Sequence, residues 1–429
     1  MKTLNKVENV LERVYDPGRL ALAWKQVRKN AGAAGIDKMT VENFAEREGE
    51  YLNLIHGKLK AGHYRFKPAR RVLIAKDGSS SKTRKLGIPV VMDRIVSQSL
   101  NLVFMEIFDR DFSDSNFGFR RGRSQHGAIG YVRAIALEGY EWCSSIDLKS
   151  FFDEIPHNLL FQLIRRKIRD ERVITLIARA LKAGVMVEGR FEKTTKGCPQ
   201  GSPVSPMLAN IVLNELDQEL ERRDHRFCRW ADDFIILTRS ERSANRAMEN
   251  LTRFLEEKLK LPVNREKSQV SPLKEVEFLG FQILRGKIRI STKARRKFKD
   301  KVRELTKRNN PLSMAQIIQS LNEYLRGRVA YFRIQEFRKI MGELDGFIRN
   351  RLRSMQLKKW KTPRKFQRMM IRAGYCPNKA GRTWVRMRNW QSVSRPEVRF
   401  TLNLKWFRRH LLVFLNDSVN HTLELNFNH

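Results

Sequence analysis

Apolar residues recur at helical spacing through the first sixty positions, for example Leu20, Ala23 and Trp24 within Leu20–Lys29, and predict short amphipathic helices. A Gly/Ala run, Ala31-Gly32-Ala33-Ala34-Gly35-Ile36-Asp37, interrupts them. The period then changes. Ala69–Ile74 (ARRVLI) and Arg84–Ile88 read as strands about a Lys76–Thr83 turn, a hairpin with a basic tip. From about Asp93 to Leu284, strands such as Trp142–Ile146, Arg226–Trp230 and Phe234–Thr238 alternate with helices such as Pro206–Arg223. Leu208, Val212, Leu216 and Leu220 give that helix a core face, with Ser205 expected as its N-cap and Pro206 as its first residue. After Ser291 only the helical period remains. Ala294–Arg308, Met314–Ile334 and Glu336–Trp360 predict three helices, with Asn309-Asn310-Pro311 as one breaker and a basic, aromatic tail beyond.

The chain has 429 residues, 41% hydrophobic and 31% charged, as expected for a globular protein of two or three domains. No apolar run approaches a membrane span, and the N-terminus lacks a signal-peptide core, so neither a membrane nor export is expected. Four scattered cysteines, Cys143, Cys198, Cys228 and Cys376, exclude a disulfide framework or Cys-rich zinc ribbon and suit a reducing compartment. Charge changes the picture more. Lys and Arg number 85 against 46 Asp and Glu, a net +39 that calls for a polyanionic partner, nucleic acid first. From Phe281 to His429 there are 36 basic and 9 acidic residues, so acidic residues concentrate in the front part. On charge alone, a nucleic-acid clamp and a solvated basic surface are equally good readings.

Three stretches carry candidate chemistry. Arg226–Leu237 (RFCRWADDFIIL) sets two β-prone runs around Asp232 and Asp233, which places both carboxylates at a hairpin tip. Two like charges about 4 Å apart cost about 4 kcal/mol at an effective dielectric near 20, a cost that a divalent cation removes. An ordinary exposed Asp-Asp turn is the competing reading. A second strand, Trp142–Ile146, runs into Asp147. Joined to Asp232 and Asp233, it would supply the oxygen ligands that two Mg²⁺ ions prefer. The third stretch, Gly197–Pro206 (GCPQGSPVSP), is a rigid loop able to press its backbone on a planar substrate, or simply a strained turn.

These motifs occur in the order Asp-x-x-x-x-Phe, PQG-x-x-x-SP and aromatic-Ala-Asp-Asp. Around them lie Gly35-Ile36-Asp37, Arg84-Lys85-Leu86-Gly87-Ile88-Pro89, Asp93-Arg94, Phe117-Gly118-Phe119-Arg120, Leu208-Ala209-Asn210, Val263-Asn264-Arg265-Glu266-Lys267-Ser268 and Phe278-Leu279-Gly280-Phe281. In order and spacing the set resembles the group II intron-encoded reverse transcriptases (maturases) over about residues 10 to 360. The resemblance implies an α/β (α+β) right-hand polymerase. Residues 1–62 would form an N-terminal extension whose Ala31–Asp37 loop covers the template, and 63–285 the fingers and mixed helix/sheet palm. An all-helical thumb would occupy 290–360, and a small basic nucleic-acid-binding region 361–429.

The same resemblance implies an RNA-directed DNA polymerase with Asp147, Asp232 and Asp233 as catalytic metal ligands for two Mg²⁺ ions, Mn²⁺ being a substitute. Phe152 would exclude a ribose 2′-OH, though an isolated aromatic is more often core. Gln200 would lie along the incoming nucleotide or the template base pair, Lys76 and Arg84 would hold the triphosphate, and Lys267 would sit near the leaving pyrophosphate; each of the three cations also reads as an ordinary surface residue. Implied partners are an RNA template, a DNA or RNA primer, deoxynucleoside triphosphates and a cognate group II intron RNA. A bacterial cytoplasm or nucleoid and a monomer or homodimer fit the family.

Two positions depart from the family pattern: Trp230 where Tyr is usual, and Ser202 where a second Gly is commoner. His410, His421 and His429 follow Cys376 without metal-ligand spacing, so no endonuclease domain is expected. Splicing of an intron RNA and retrohoming form the leading biological role. The alternatives are a free-standing enzyme serving host DNA repair or phage defence, and an RNA-binding splicing chaperone with polymerase activity secondary or lost.

Overall fold

A computed structural model describes residues 6–75, 83–383, 385 and 389–417. Lys76, Trp384, His421 and His429 lie outside the described residues. The chain forms two compact units, Met1–Val276 and Glu277–His429.

The first unit holds eight of the described strands: β1 (Ala69–Ala75), β2 (Thr83–Ile88), β3 (Trp142–Ile146), β4 (Val185–Val187), β5 (Arg190–Glu192), β6 (Arg226–Trp230), β7 (Asp233–Thr238) and β8 (Gln269–Pro272). They make two four-stranded sheets, ordered β2-β1-β4-β5 and β6-β7-β3-β8. In the first, β1 and β2 pair antiparallel with Leu73 opposite Lys85, and β4 joins β1 in parallel. The second sheet is antiparallel throughout, with Ile146 opposite Phe234 and Trp230 opposite Asp233.

Helices bury these sheets. Pro17–Asn30 begins where the Asp16 carboxylate accepts the Arg19 N–H at 2.8 Å, and it buries Leu20, Ala23, Trp24 and Val27. Val91–Phe108 is buried on most sides, its polar Asp93, Arg94, Ser97 and Ser99 included. Ser205–Arg222 buries the predicted Leu208, Val212, Leu216 and Leu220. Its start differs from expectation. Val204 occupies the N-cap position and no side chain caps the helix; the Ser205 hydroxyl instead donates to the Pro199 carbonyl at 2.9 Å. That bond ties the Pro199–Ser202 loop to the helix it precedes.

The second unit opens with an antiparallel hairpin, β9 (Phe281–Leu284) and β10 (Lys287–Ile290), and is helical thereafter. Thr292–Leu305 is capped by Ser291, and Met314–Phe332 carries a Ser313/Gln316 capping box. Arg338–Trp360 follows, and Phe298, Leu321, Leu325, Phe332 and Leu344 are buried. Short helices after Trp360 gather around Trp360, Phe366, Met370, Val398 and Leu402. The tail tryptophans divide: Trp360 is core, Trp406 stacks on His410, and Trp390 is 66% exposed. Asn322 and Asp345, both buried, hold the backbone at Leu411, Val413, Leu415 and Asn416.

Among the described residues no helix is long and apolar enough to cross a membrane.

Candidate active site

The β6–β7 connection has only two residues, Ala231 and Asp232, because Trp230 already pairs with Asp233. Ala231 takes a left-handed φ of 59°, as a two-residue hairpin turn demands. On the other side of β7, the ladder to β3 ends at Ile146–Phe234, so one step further Asp147 and Asp233 are cross-strand neighbours. Side chains alternate along a strand, which puts Trp230, Asp233 and Asp147 in one row on one face of three adjacent strands. Opposing Cβ atoms in such a ladder lie about 5 Å apart. Burial, with the Asp233 charge adding to it, pushes the Cys143 thiol on β3 up to about 12. Asp232 is half-buried at the second turn position.

Two different devices hold these carboxylates. Beneath the turn, Arg229 and Asp217 form an ion pair with both side chains fully buried, at 2.7 Å (Nε to Oδ1) and 2.5 Å (Nη2 to Oδ2). Burial pushes the Asp217 carboxyl up from its ordinary value, and the guanidinium opposes that shift. Arg229 Nη1 also donates to the Ala231 carbonyl at 3.0 Å and to Asn210 Oδ1 at 2.9 Å. Asn210 in turn donates to the Gly118 carbonyl at 2.9 Å. Gly118 lies so close that a Cβ there would stand 2.2 Å from the Ala231 nitrogen. The Phe117–Arg120 loop is therefore a backbone wedge under the acidic turn.

Asp147 is held from the side. The Asn264 N–H donates to the Asp147 carbonyl at 2.7 Å, and Asn264 Nδ2 to Asp147 Oδ2 at 3.0 Å. The Asp147 N–H donates to Ser268 Oγ at 3.0 Å, and that hydroxyl donates back to the Asn264 carbonyl at 2.9 Å. The exposed Lys267 ammonium stands 3.4 Å from the same Oδ2.

The remaining expected residues surround this row unevenly. Phe152 is partly buried, edge-on to Phe151 at 5.3 Å, and its carbonyl accepts the Cys198 N–H at 2.6 Å. That bond fastens the Gly197–Ser202 loop to the segment following Asp147. Gln200 is half-buried and its carbonyl accepts the Gly87 N–H on β2 at 2.7 Å. Gly201, at φ +115°, sits where a Cβ would meet the Gly87 oxygen at 2.2 Å, so loop and strand touch backbone to backbone. Arg84 is exposed on β2. A cleft of about 420 Å³ beside the loop is lined by Arg71, Lys85, Asp153, Cys198, Gln200 and Ser202, among others, and excludes the aspartate row.

The residues fit a divalent cation by donor type and register rather than as a ready chelate. Among the described residues no three His, Cys, Asp or Glu side chains converge on one point. Three carboxylates are nonetheless the hard oxygen donors that Mg²⁺ favours. A cation, the Lys267 ammonium, already lies against one of them.

Residues 74–283 match the family model "Reverse transcriptase (RNA-dependent DNA polymerase)", and residues 295–373 match "Group II intron, maturase-specific domain". Protein YkfC of Escherichia coli is 32% identical over 325 residues, which cover 66% of this chain and 85% of that protein. The chain belongs to the group II intron reverse transcriptase/maturase family. Its enzyme class is RNA-directed DNA polymerase, and its α/β fold, with a helical C-terminal region, is of the right-hand polymerase type. Another relative, the group II intron-encoded protein LtrA of Lactococcus lactis, is 30% identical over 370 residues, covering 70% of this chain and 60% of LtrA. A chain of a Cas6-RT-Cas1–Cas2 complex aligns with a TM-score of 0.36 at 21% identity, over 58% of this chain and 42% of that one, too weak a likeness to carry weight.

Motif reading alone passed over Asn264, Ser268, Arg229, Asn210 and Gly118 as individual residues, although each lies within or beside a conspicuous motif. Asp217 had one available signal, an acidic residue between Leu216 and Leu220 on a helix whose neighbours are core.

Proposed function

We propose that Asp147, Asp232 and Asp233 bind two Mg²⁺ ions, with Mn²⁺ as a substitute, and that the enzyme extends a DNA or RNA primer on an RNA template, and on DNA as well. Bound there, the ions supply Lewis-acid stabilisation of the attacking and leaving oxygens of an in-line displacement. The chain's own residues position and exclude. Phe152 walls the sugar pocket against a 2′-OH, and Gln200 lies along the incoming nucleotide. Arg84, together with Lys76, engages the triphosphate, and Lys267 the departing pyrophosphate. Residues 1–62 serve as the N-terminal extension and 63–285 as fingers and palm. The thumb at 290–360 and the basic region at 361–429 track an RNA–DNA duplex through phosphate contacts and shape. By likeness to the intron-encoded relatives, the cognate partner is a group II intron RNA, and the biological role is its splicing and retrohoming. The setting is a bacterial cytoplasm.

The observation that carries this reading is the row of Asp147 beside Asp233 across adjacent strands, with Asp232 next to them at the turn. Primer extension on an oligoribonucleotide template tests it. The Asp232→Ala, Asp233→Ala double variant should fall to background while keeping its RNA affinity; undiminished extension by that variant would refute the assignment.

A further inference from the structure

We propose that Asn264 is the positioning residue for Asp147: it fixes the carboxylate so that Oδ1 is the oxygen offered to a divalent cation, an assignment that rests on the metal-binding reading above. Asn264 grips Asp147 at two points, its N–H on the carbonyl at 2.7 Å and its Nδ2 on Oδ2 at 3.0 Å. The first bond sets Asn264 against the Asp147 backbone, and the second orients the carboxylate. The Lys267 ammonium approaches the same Oδ2, at 3.4 Å. Among the described residues no donor reaches Oδ1 within hydrogen-bond distance. One carboxylate oxygen is thus committed to the Asn264–Ser268 turn, and the other is left for a ligand on the face that Asp147 shares with Asp233.

The turn itself is braced. Ser268 Oγ links the Asp147 N–H to the Asn264 carbonyl, the Lys149 N–H donates to the Pro262 carbonyl at 2.9 Å, and Leu148 bridges to Val263. Asn264 is therefore held in register with the strand end that it orients. Its amide is neutral and offers Asp147 a donor without a competing charge, whereas Lys267 offers a charge that a metal ion must oppose. The two neighbours act in opposite senses on metal affinity, and that separates positioning from mere support of the turn.

The test is Mn²⁺ binding by the full chain without nucleotide, followed by the electron paramagnetic resonance signal of free Mn²⁺. Asn264→Ala should weaken binding about tenfold or more, the usual effect of losing a residue that orients a metal ligand. Asn264→Leu keeps the side chain's approximate shape, removes its amide, and should weaken it as much; it stands in if the alanine variant does not fold. Asn264→Gln retains an amide donor and should recover most of the loss. Lys267→Met should tighten binding. Loss of affinity in both the Asn264→Leu and Lys267→Met variants would mean the turn is only structural and would overturn the proposal, as would wild-type affinity in Asn264→Leu. Asp147→Asn keeps the two failures apart: if it binds Mn²⁺ like wild type, the metal reading itself falls, and if it alone loses the ion, only the role of Asn264 does.

Discussion

The two acidic strand ends of the β6-β7-β3-β8 sheet are supported in opposite ways. The Ala231–Asp232 turn rests on a dry network, Asp217–Arg229–Asn210–Gly118, whose ion pair has no exposed surface. Asp147 is gripped by a half-exposed turn, Asn264–Ser268, with its side chain 44% accessible. A buried network resists deformation because a polar group that loses its partner there has no water to replace it. A surface grip exchanges its partners with solvent at small cost. The buried network carries two of the three carboxylates, and the half-exposed turn carries the third.

The contrast can be broken most severely at Asp217. Asp217→Ala leaves the Arg229 guanidinium charged and unpaired in the interior and should cost about 3–5 kcal/mol in chemical denaturation. An apolar pair, Asp217→Leu with Arg229→Met, should restore most of that stability. It should not restore primer extension, because the bond from Arg229 to the Ala231 carbonyl is gone; recovery of both would make the pair a stability device alone. Next in size is Gly118→Ala. The new methyl carbon would overlap the Ala231 backbone nitrogen at 2.2 Å and shift the acidic turn. Primer-extension rate should fall about 100-fold, the order expected when a reacting constellation moves by about 1 Å, while thermal unfolding stays cooperative. The smallest effect belongs to the exposed side. Ser268→Ala removes the acceptor of the Asp147 N–H, which water partly replaces, and should cost about 1 kcal/mol, or about fivefold in extension rate. A loss at Ser268 as large as that at Gly118 would abolish the distinction between the two supports.

Much of this architecture was legible in the chain because its signals are local. Short apolar, β-prone runs marked β1, β2, β3, β6 and β7, and helical spacing marked Ser205–Arg222 and the helices after Ser291. The three-residue strands β4 and β5 were not legible. They are too short for periodicity, and the partner of β4, β1, lies more than a hundred residues upstream. Ser205 was misread for a related reason. The helix begins one residue earlier, with Val204 at the N-cap, and the Ser205 hydroxyl donates to the Pro199 carbonyl, which only the folded loop brings within reach. At the site, the acidic residues could be named from their motifs, but their alignment is a matter of register between strands about ninety residues apart. The support beneath them was hidden for the same reason. An aspartate among leucines signals a buried partner without saying which of many arginines it is.

The backbone stitch between Gly87 and the Gln200–Gly201 peptide has a mechanical consequence. Strand β2, which carries Arg84, and the loop, which carries Gln200, share one hinge point with no side chain between them to act as a cushion. Any displacement of β2 would pass directly to the loop, and a bulkier residue at Gly201 would push the two apart.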